Sequence, residues 1–314
     1  MAILTRLDPA ELEALAAAYG LGSLARFEGV EAGTVNTSYA LELGAGRYFL
    51  RIYEEQGVEG ARAEAAMLDA LAARGVATPA PVADRAGQRV QAVRGKAAVL
   101  FPWVEGQTTC QARVTAALTS AVGVALAELH LSGVPAPGAG RFDAASLLER
   151  CARVEASPDE AARARAEELR GRLADSIVRR DAGVPRGLVH GDLFRDNVLV
   201  GDDGAIRALL DFESAHDGPF IYDVAVSLLA WCWGSSLDRD LGAALVRGYT
   251  SRRELSARER DALFEELCFG CVRFMITRIT DETWKNGKLW QRFAMRLAEV
   301  EALGPRGVRE VLAP

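Results

Sequence analysis

Histidine is scarce in this chain: there are three, at positions 130, 190 and 216. With no Gly-x-Ser-x-Gly elbow either, little is left for a metal-free hydrolase to use as nucleophile and base. Cysteine is also sparse. Cys110, Cys151, Cys232, Cys268 and Cys271 form an odd set, and the 268/271 pair has no second pair to complete a zinc site. They read as reduced, buried thiols of a cytoplasmic protein. No apolar run approaches membrane length: the stretch 224–233 is about half of a ~20-residue span, and Arg273 interrupts the stretch 268–276. Acidic residues outnumber basic ones, 43 Asp and Glu against 37 Lys and Arg, for a formal charge of −6. A nucleic-acid partner, held mainly by clustered Lys and Arg, is therefore not expected, and neither is a membrane. The N-terminus carries no signal-peptide pattern; Asp8-Pro9-Ala10-Glu11 reads as a helix start with Asp8 as N-cap.

What is present is a large apolar share, 50%, with 25% charged residues of mixed sign over 314 residues. That is a globular composition with more chain than one core uses efficiently, so two unequal domains are expected, 1–102 and 103–314. Between Arg26 and about Val104, apolar runs at 38–43, 48–53 and 97–101 predict strands. One helix is predicted there over 58–73, apolar at Ala61, Ala65, Leu68 and Leu71 and stopped at Gly75. Beyond the connector at 102–106 the pattern turns to long helices: 112–131, 143–180, 221–233, 239–249, 257–280 and 289–303. A strand patch around 188–210 breaks the run. The expected class is α+β and bilobal, with an antiparallel-sheet N-terminal lobe, a mainly helical C-terminal lobe and ligands in the crevice between them. The Arg/Glu-rich stretch 159–180 reads as a solvent-exposed helix face with i,i+4 pairs.

The strongest chemical signal is His190-Gly191-Asp192-Leu193-Phe194-Arg195-Asp196-Asn197-Val198-Leu199-Val200, followed by an apolar run ending in Leu209-Leu210-Asp211-Phe212. Phosphoryl transfer needs a carboxylate that orients and deprotonates the attacking hydroxyl, and oxygen ligands for Mg²⁺ ions that neutralise the phosphates. Asp192 fits the base, with Asn197 five positions on and the strand-end Asp211 as metal ligands. This resembles the catalytic loop and metal-binding Asp of the protein-kinase-like superfamily, H-x-D-x-x-x-x-N and then Asp-Phe. Gly191 in place of Arg makes it similar to the aminoglycoside phosphotransferase and choline kinase branch. The helix ending in Leu129-His130 and the segment Gly218-Pro219-Phe220-Ile221-Tyr222-Asp223 resemble that branch too. His130 reads as a hydrogen-bonded core residue and Asp223 as a brace for the catalytic loop; Trp231 and Trp233 read as core.

In the N-terminal half, a glycine-bearing turn around Gly33 and Asn36 lies where backbone N–H groups can cover phosphates. The resemblance implies that Arg51, standing where kinases commonly carry Lys, grips phosphates while pairing with Glu64. It implies likewise that the connector at Phe101 and Trp103 meets the purine. Cofactors implied are ATP and Mg²⁺, with a small-molecule hydroxyl as acceptor. The phrases at 33–39, 190–199 and 273–279 look most like bacterial type II homoserine kinases. An amino-acid acceptor needs a guanidinium for its carboxylate, Arg273 or Arg278, and an acid for its ammonium, Glu213 or Asp217. Alternative acceptors are choline or ethanolamine, methylthioribose and an aminoglycoside; a non-catalytic nucleotide-binding pseudokinase is the alternative from another class.

Overall fold

The computed structural model describes residues 3–30, 35–138, 140–287 and 289–311. The chain divides into two compact units, 1–106 and 107–314.

The first unit opens with α1 (Pro9–Tyr19), where Asp8 and Glu11 form a reciprocal capping box behind Pro9. Five strands follow, β1 (Leu24–Gly29), β2 (Thr37–Leu43), β3 (Gly46–Ile52), β4 (Val90–Val93) and β5 (Lys96–Pro102), with α2 (Val58–Ala73) between β3 and β4. They pair antiparallel in the order β1-β2-β3-β5-β4. Leu41, Leu50, Ile52 and Leu100 from the three inner strands pack with Leu12 and Leu15 of α1 into one buried cluster. The register that pairs Ser38 with Arg51 and Arg51 with Val99 sets Arg51 in the central strand.

The second unit is mainly helical: α3 (Ala116–Leu131), α4 (Ala144–Glu155), α5 (Glu160–Arg163), α6 (Ala166–Arg179), then α7 (Phe220–Trp231), α8 (Arg239–Thr250), α9 (Ala257–Thr280) and α10 (Gln291–Val311). Between α6 and α7 run β6 (Arg186–Val189), β7 (Val198–Val200), β8 (Ile206–Leu209) and β9 (His216–Pro219), pairing as β6-β9 and β7-β8. The helices α3 and α8 meet backbone to backbone. A Cβ on Gly248 would fall 2.0 Å from Ser120 O, and one on Gly123 would fall 2.1 Å from Leu245 O.

Several expectations are corrected. The stretch 143–180 is three helices rather than one, because Pro158 cannot continue a helix and Asp159 caps α5 through the N–H groups of Ala161 and Ala162. Its i,i+4 ion pairs are present at Arg172–Glu168 and Arg179–Asp175, but Arg180 leaves that face and forks onto the buried Glu266. The helix expected from 112 starts at Ala116, with Thr115 as its cap, and α10 runs past 303 through a kink at Gly304. Four of the five free cysteines are buried, whereas Cys110 is exposed. Trp231 and Trp233 do fill the core. Among the described residues no helix is long and apolar enough to cross a membrane.

Candidate active site

The motif residues gather on the loop between β6 and β7. Asp223 on α7, fully buried, accepts from the backbone N–H groups of His190 (2.6 Å) and Gly191 (2.8 Å) and from His130 Nε2 (3.1 Å). His130 Nδ1 accepts in turn from the Tyr249 hydroxyl at 2.8 Å, and that oxygen accepts from Arg253 Nη1 at 3.1 Å, which also pairs with the buried Glu259 at 2.8 Å. This relay ties the start of α9 to the loop through α8, α3 and α7, each polar group being satisfied by the next. Burial acts to raise Asp223, but His130 and the backbone donors together hold it below the usual carboxylate range. Burial pushes His130 below 6.5, so the ring is neutral and its Nε2–H points at the carboxylate.

The loop is closed on its other sides as well. His190 donates from Nε2 to Leu210 O at 2.9 Å and accepts at Nδ1 from the Asp192 N–H, while Trp231 Nε1 donates to Leu193 O at 2.9 Å. Gly191 has φ of +75°, and a Cβ there would lie 2.7 Å from Ser214 O, so the position excludes every side chain. That is the physical reason for the departure from Arg in the loop motif.

Asn197 Nδ2 donates to Asp192 O at 2.8 Å, and its backbone carbonyl accepts from Leu210 N–H at 2.9 Å, which brings Asn197 beside Asp211. Asp211 takes φ 62° and ψ 68°, a left-handed turn that costs a non-glycine residue about 1–2 kcal/mol. Asn197 Oδ1 and the Asp211 carboxylate are hard oxygen donors of the kind Mg²⁺ prefers. The Asp192 side chain is 33% exposed, and its Oδ1 receives Arg273 Nη1 at 3.2 Å. Arg273 itself is buried, sandwiched between Phe274 at 3.9 Å and Phe142 at 4.2 Å, with no hydrogen-bond partner at Nε.

The other sequence candidates fall as follows. Arg51 Nη1 lies 3.6 Å from Glu64 Oε1, both side chains largely buried. Gly33 lies outside the described residues. Asn36 Oδ1 accepts from Glu54 N–H at 3.2 Å, holding the two ends of the β2–β3 hairpin. Phe101 is buried in β5, and Trp103 lies with its ring 3.6 Å beneath the Arg47 guanidinium. Glu213 is 3.5 Å from Arg141 Nη1; Asp217 is in an exposed pair with Arg186 at 3.3 Å. Arg278 stacks on Phe293 at 4.4 Å and donates to Leu289 O at 3.0 Å.

Comparison with known proteins decides the family. The model of the phosphotransferase enzyme family named APH matches residues 26–259. The chain belongs to this phosphotransferase family. It is a small-molecule kinase by that membership and by its relatives. A homoserine kinase of Methylobacterium radiotolerans is 36% identical over 293 residues, covering 91% of this chain and 89% of that protein. Among solved structures, an amicoumacin kinase in complex with AMP-PNP, Ca²⁺ and Ami superposes with a TM-score of 0.72 at 17% identity, over 96% of this chain and 93% of the other. A microcompartment-associated aminopropanol kinase gives 0.69 at 20% identity, over 94% and 97%. These likenesses establish a kinase-like fold for the phosphotransferase.

Several residues around the phosphotransferase's loop were missed from the sequence. Arg253 lies in a loop with no motif to mark it, whereas Glu259 closes the capping box Ser256-x-x-Glu259, a legible helix start. Arg296 carried a legible signal: it interrupts the apolar stripe Phe293, Leu297, Val300 of α10 and is buried there. Arg195 lies inside the quoted motif and donates to Ala230 O.

The buried histidines set a pH dependence. His130 and His216 are both pushed below 6.5, burial being the main cause. Because the unfolded chain then takes up protons first, stability is complete above about 6.5 and is lost as pH falls towards the folded-state values. The melting temperature should therefore drop between about pH 8 and pH 5. An unchanged value across that window would contradict neutral burial of these rings.

Proposed function

We propose that the protein is an ATP- and Mg²⁺-dependent homoserine kinase. The acceptor rests on the 36% identity, over 91% of the chain, to a protein named homoserine kinase. The chemistry rests on one observation, a partly exposed Asp192 carboxylate on a braced loop beside Asn197 and Asp211.

Asp192 Oδ1 is held by Arg273, which leaves Oδ2 to accept the proton of the acceptor's hydroxyl. The hydroxyl oxygen bonds to the γ-phosphorus, the bond to the bridging oxygen breaks, and the nucleoside diphosphate leaves. Asn197 and Asp211 would hold Mg²⁺, which when bound neutralises charge on the phosphates. No group of three His, Cys, Asp or Glu able to hold a metal occurs among the described residues. A set of one carboxylate and one amide fits Mg²⁺, which keeps several waters and takes substrate phosphates as further ligands. Arg51, oriented by Glu64, offers its guanidinium to the phosphates. Free thiols at all five cysteines favour a cytoplasmic setting.

Phosphate transfer from Mg-ATP to homoserine, choline, methylthioribose and kanamycin tests this reading. Homoserine should give the highest kcat/KM; transfer to another acceptor with none to homoserine would overturn it. Arg51→Ala should raise KM for ATP about 10-fold, with Arg51→Lys intermediate, because Lys keeps the charge and loses the fork. An exposed, unengaged Arg would contribute under about 1 kcal/mol, so unchanged kinetics would remove Arg51 from the site.

A further inference from the structure

We propose that Arg278 is the residue that selects acceptors carrying a carboxylate, working in a positive field shared with Arg195 and Arg296. The inference rests on the reading of Asp192 as base and of an amino acid as acceptor.

Three buried or partly buried guanidinium groups, Arg195 in the segment after Asp192 and Arg278 and Arg296 on α9 and α10, are each tied to a backbone carbonyl rather than to an acid. Arg195 donates to Ala230 O, Arg278 to Leu289 O at 3.0 Å and Arg296 to Trp233 O at 3.5 Å. No carboxylate of the described residues lies within ion-pair reach of any of them. The one acid near Arg296, Glu299, is already engaged by Trp233 Nε1 and Leu237 N–H. Their planes rest on rings: Arg278 and Arg296 lie 4.4 and 4.7 Å from Phe293, and Arg278 is 5.9 Å from Phe194 of the loop. Burial and the charges of Arg296, Arg292 and Arg273 push Arg278 down to about 10, with Asp192 alone opposing. Desolvated cations gathered without an anion are costly, and the cost is recovered when an anion enters.

The other candidates are committed elsewhere. Arg273 spends Nη1 on Asp192, and its Nε is buried. Glu213 and Asp217 are paired with Arg141 and Arg186. Arg278 keeps donors beyond its single bond to Leu289 O, on the loop side of α9 and close enough to Asp192 for the charges to interact. In homoserine the hydroxyl oxygen and the carboxylate carbon are four bonds apart, about 5 Å when extended. When Asp192 engages the homoserine hydroxyl, the carboxylate thus stays within about 5 Å of that oxygen, within the field of Arg278.

The test compares L-homoserine with 3-aminopropan-1-ol, which has the same hydroxyl and amine and no carboxylate. In Arg278→Ala the ratio of kcat/KM for homoserine over aminopropanol should fall about 10–100-fold, the worth of charge-assisted hydrogen bonds. Arg278→Lys should lower it less, and added guanidinium ion should restore part of the loss in the Ala variant. The inhibition constant of L-2-aminobutyrate, which keeps the carboxylate and lacks the hydroxyl, should rise by the same factor without any turnover being required. An unchanged ratio with an unchanged inhibition constant overturns the assignment. Absence of homoserine turnover in the unmodified protein overturns the functional reading itself, and is told apart because the parent chain fails.

Discussion

Asp192→Asn is expected to lower kcat by about 10²–10⁴, the range for loss of a positioned base, with ATP affinity close to that of the parent. Asn keeps the size of the side chain and its contact with Arg273, but its amide has no charge with which to take the hydroxyl's proton. The loop should stay intact, because its hydrogen bonds run through the Asp192 backbone and not its carboxylate: Asp192 O receives Asn197 Nδ2, and Asp192 N–H reaches His190. Binding of Mg-ATP by calorimetry, beside single-turnover rates, separates the two effects. Near-parental turnover would remove Asp192 from the chemistry.

A second large effect is expected in stability. Asp223→Ala strands the backbone N–H groups of His190 and Gly191 and the Nε2–H of His130, all in a dry interior. Removing one side of such a buried, charged network costs about 3–5 kcal/mol. For a unit of this size the melting temperature should fall by roughly 10 °C or more. Asp223→Asn should be milder, since its carbonyl oxygen still accepts one donor while its NH₂ faces another. Thermal melts of the three proteins decide it, and a drop below about 2 °C for the Ala variant would mean that the brace is energetically idle.

Much of the site was legible because its residues are local in sequence. Asp192 and Asn197 lie five apart on one loop, Asp211 ends the hairpin that follows, and Asp223 starts the next helix. Arg51 and Glu64 were readable as a charge in an apolar strand and an acid on the next helix, and the two come within 3.6 Å. What escaped was either non-local or set by pairing. The relay from Glu259 through Arg253, Tyr249 and His130 to Asp223 joins residues more than a hundred positions apart. The strand His216–Pro219 has no alternation to betray it and is extended because it pairs with 186–189. The break at Pro158 was hidden by charged helical periodicity on both sides. Arg273 was expected to await a substrate; only three-dimensional contact shows it occupied by Asp192.

Gly191 carries a consequence for how such a protein can change over generations. Its missing side chain lets the backbone that bears the proton acceptor press against the carbonyl of Ser214, in the turn that follows Asp211. The two halves of the phosphoryl-transfer apparatus are thereby fused into one rigid casting, in which neither can be adjusted without breaking the other. Arg278 and Arg296, by contrast, stand on α9 and α10: Arg278 meets that casting through the ring of Phe194, and Arg296 reaches only Phe293 and the Trp233 carbonyl. Heritable variation in what is phosphorylated is free to accumulate at those two positions while the means of phosphorylating it stays as inherited.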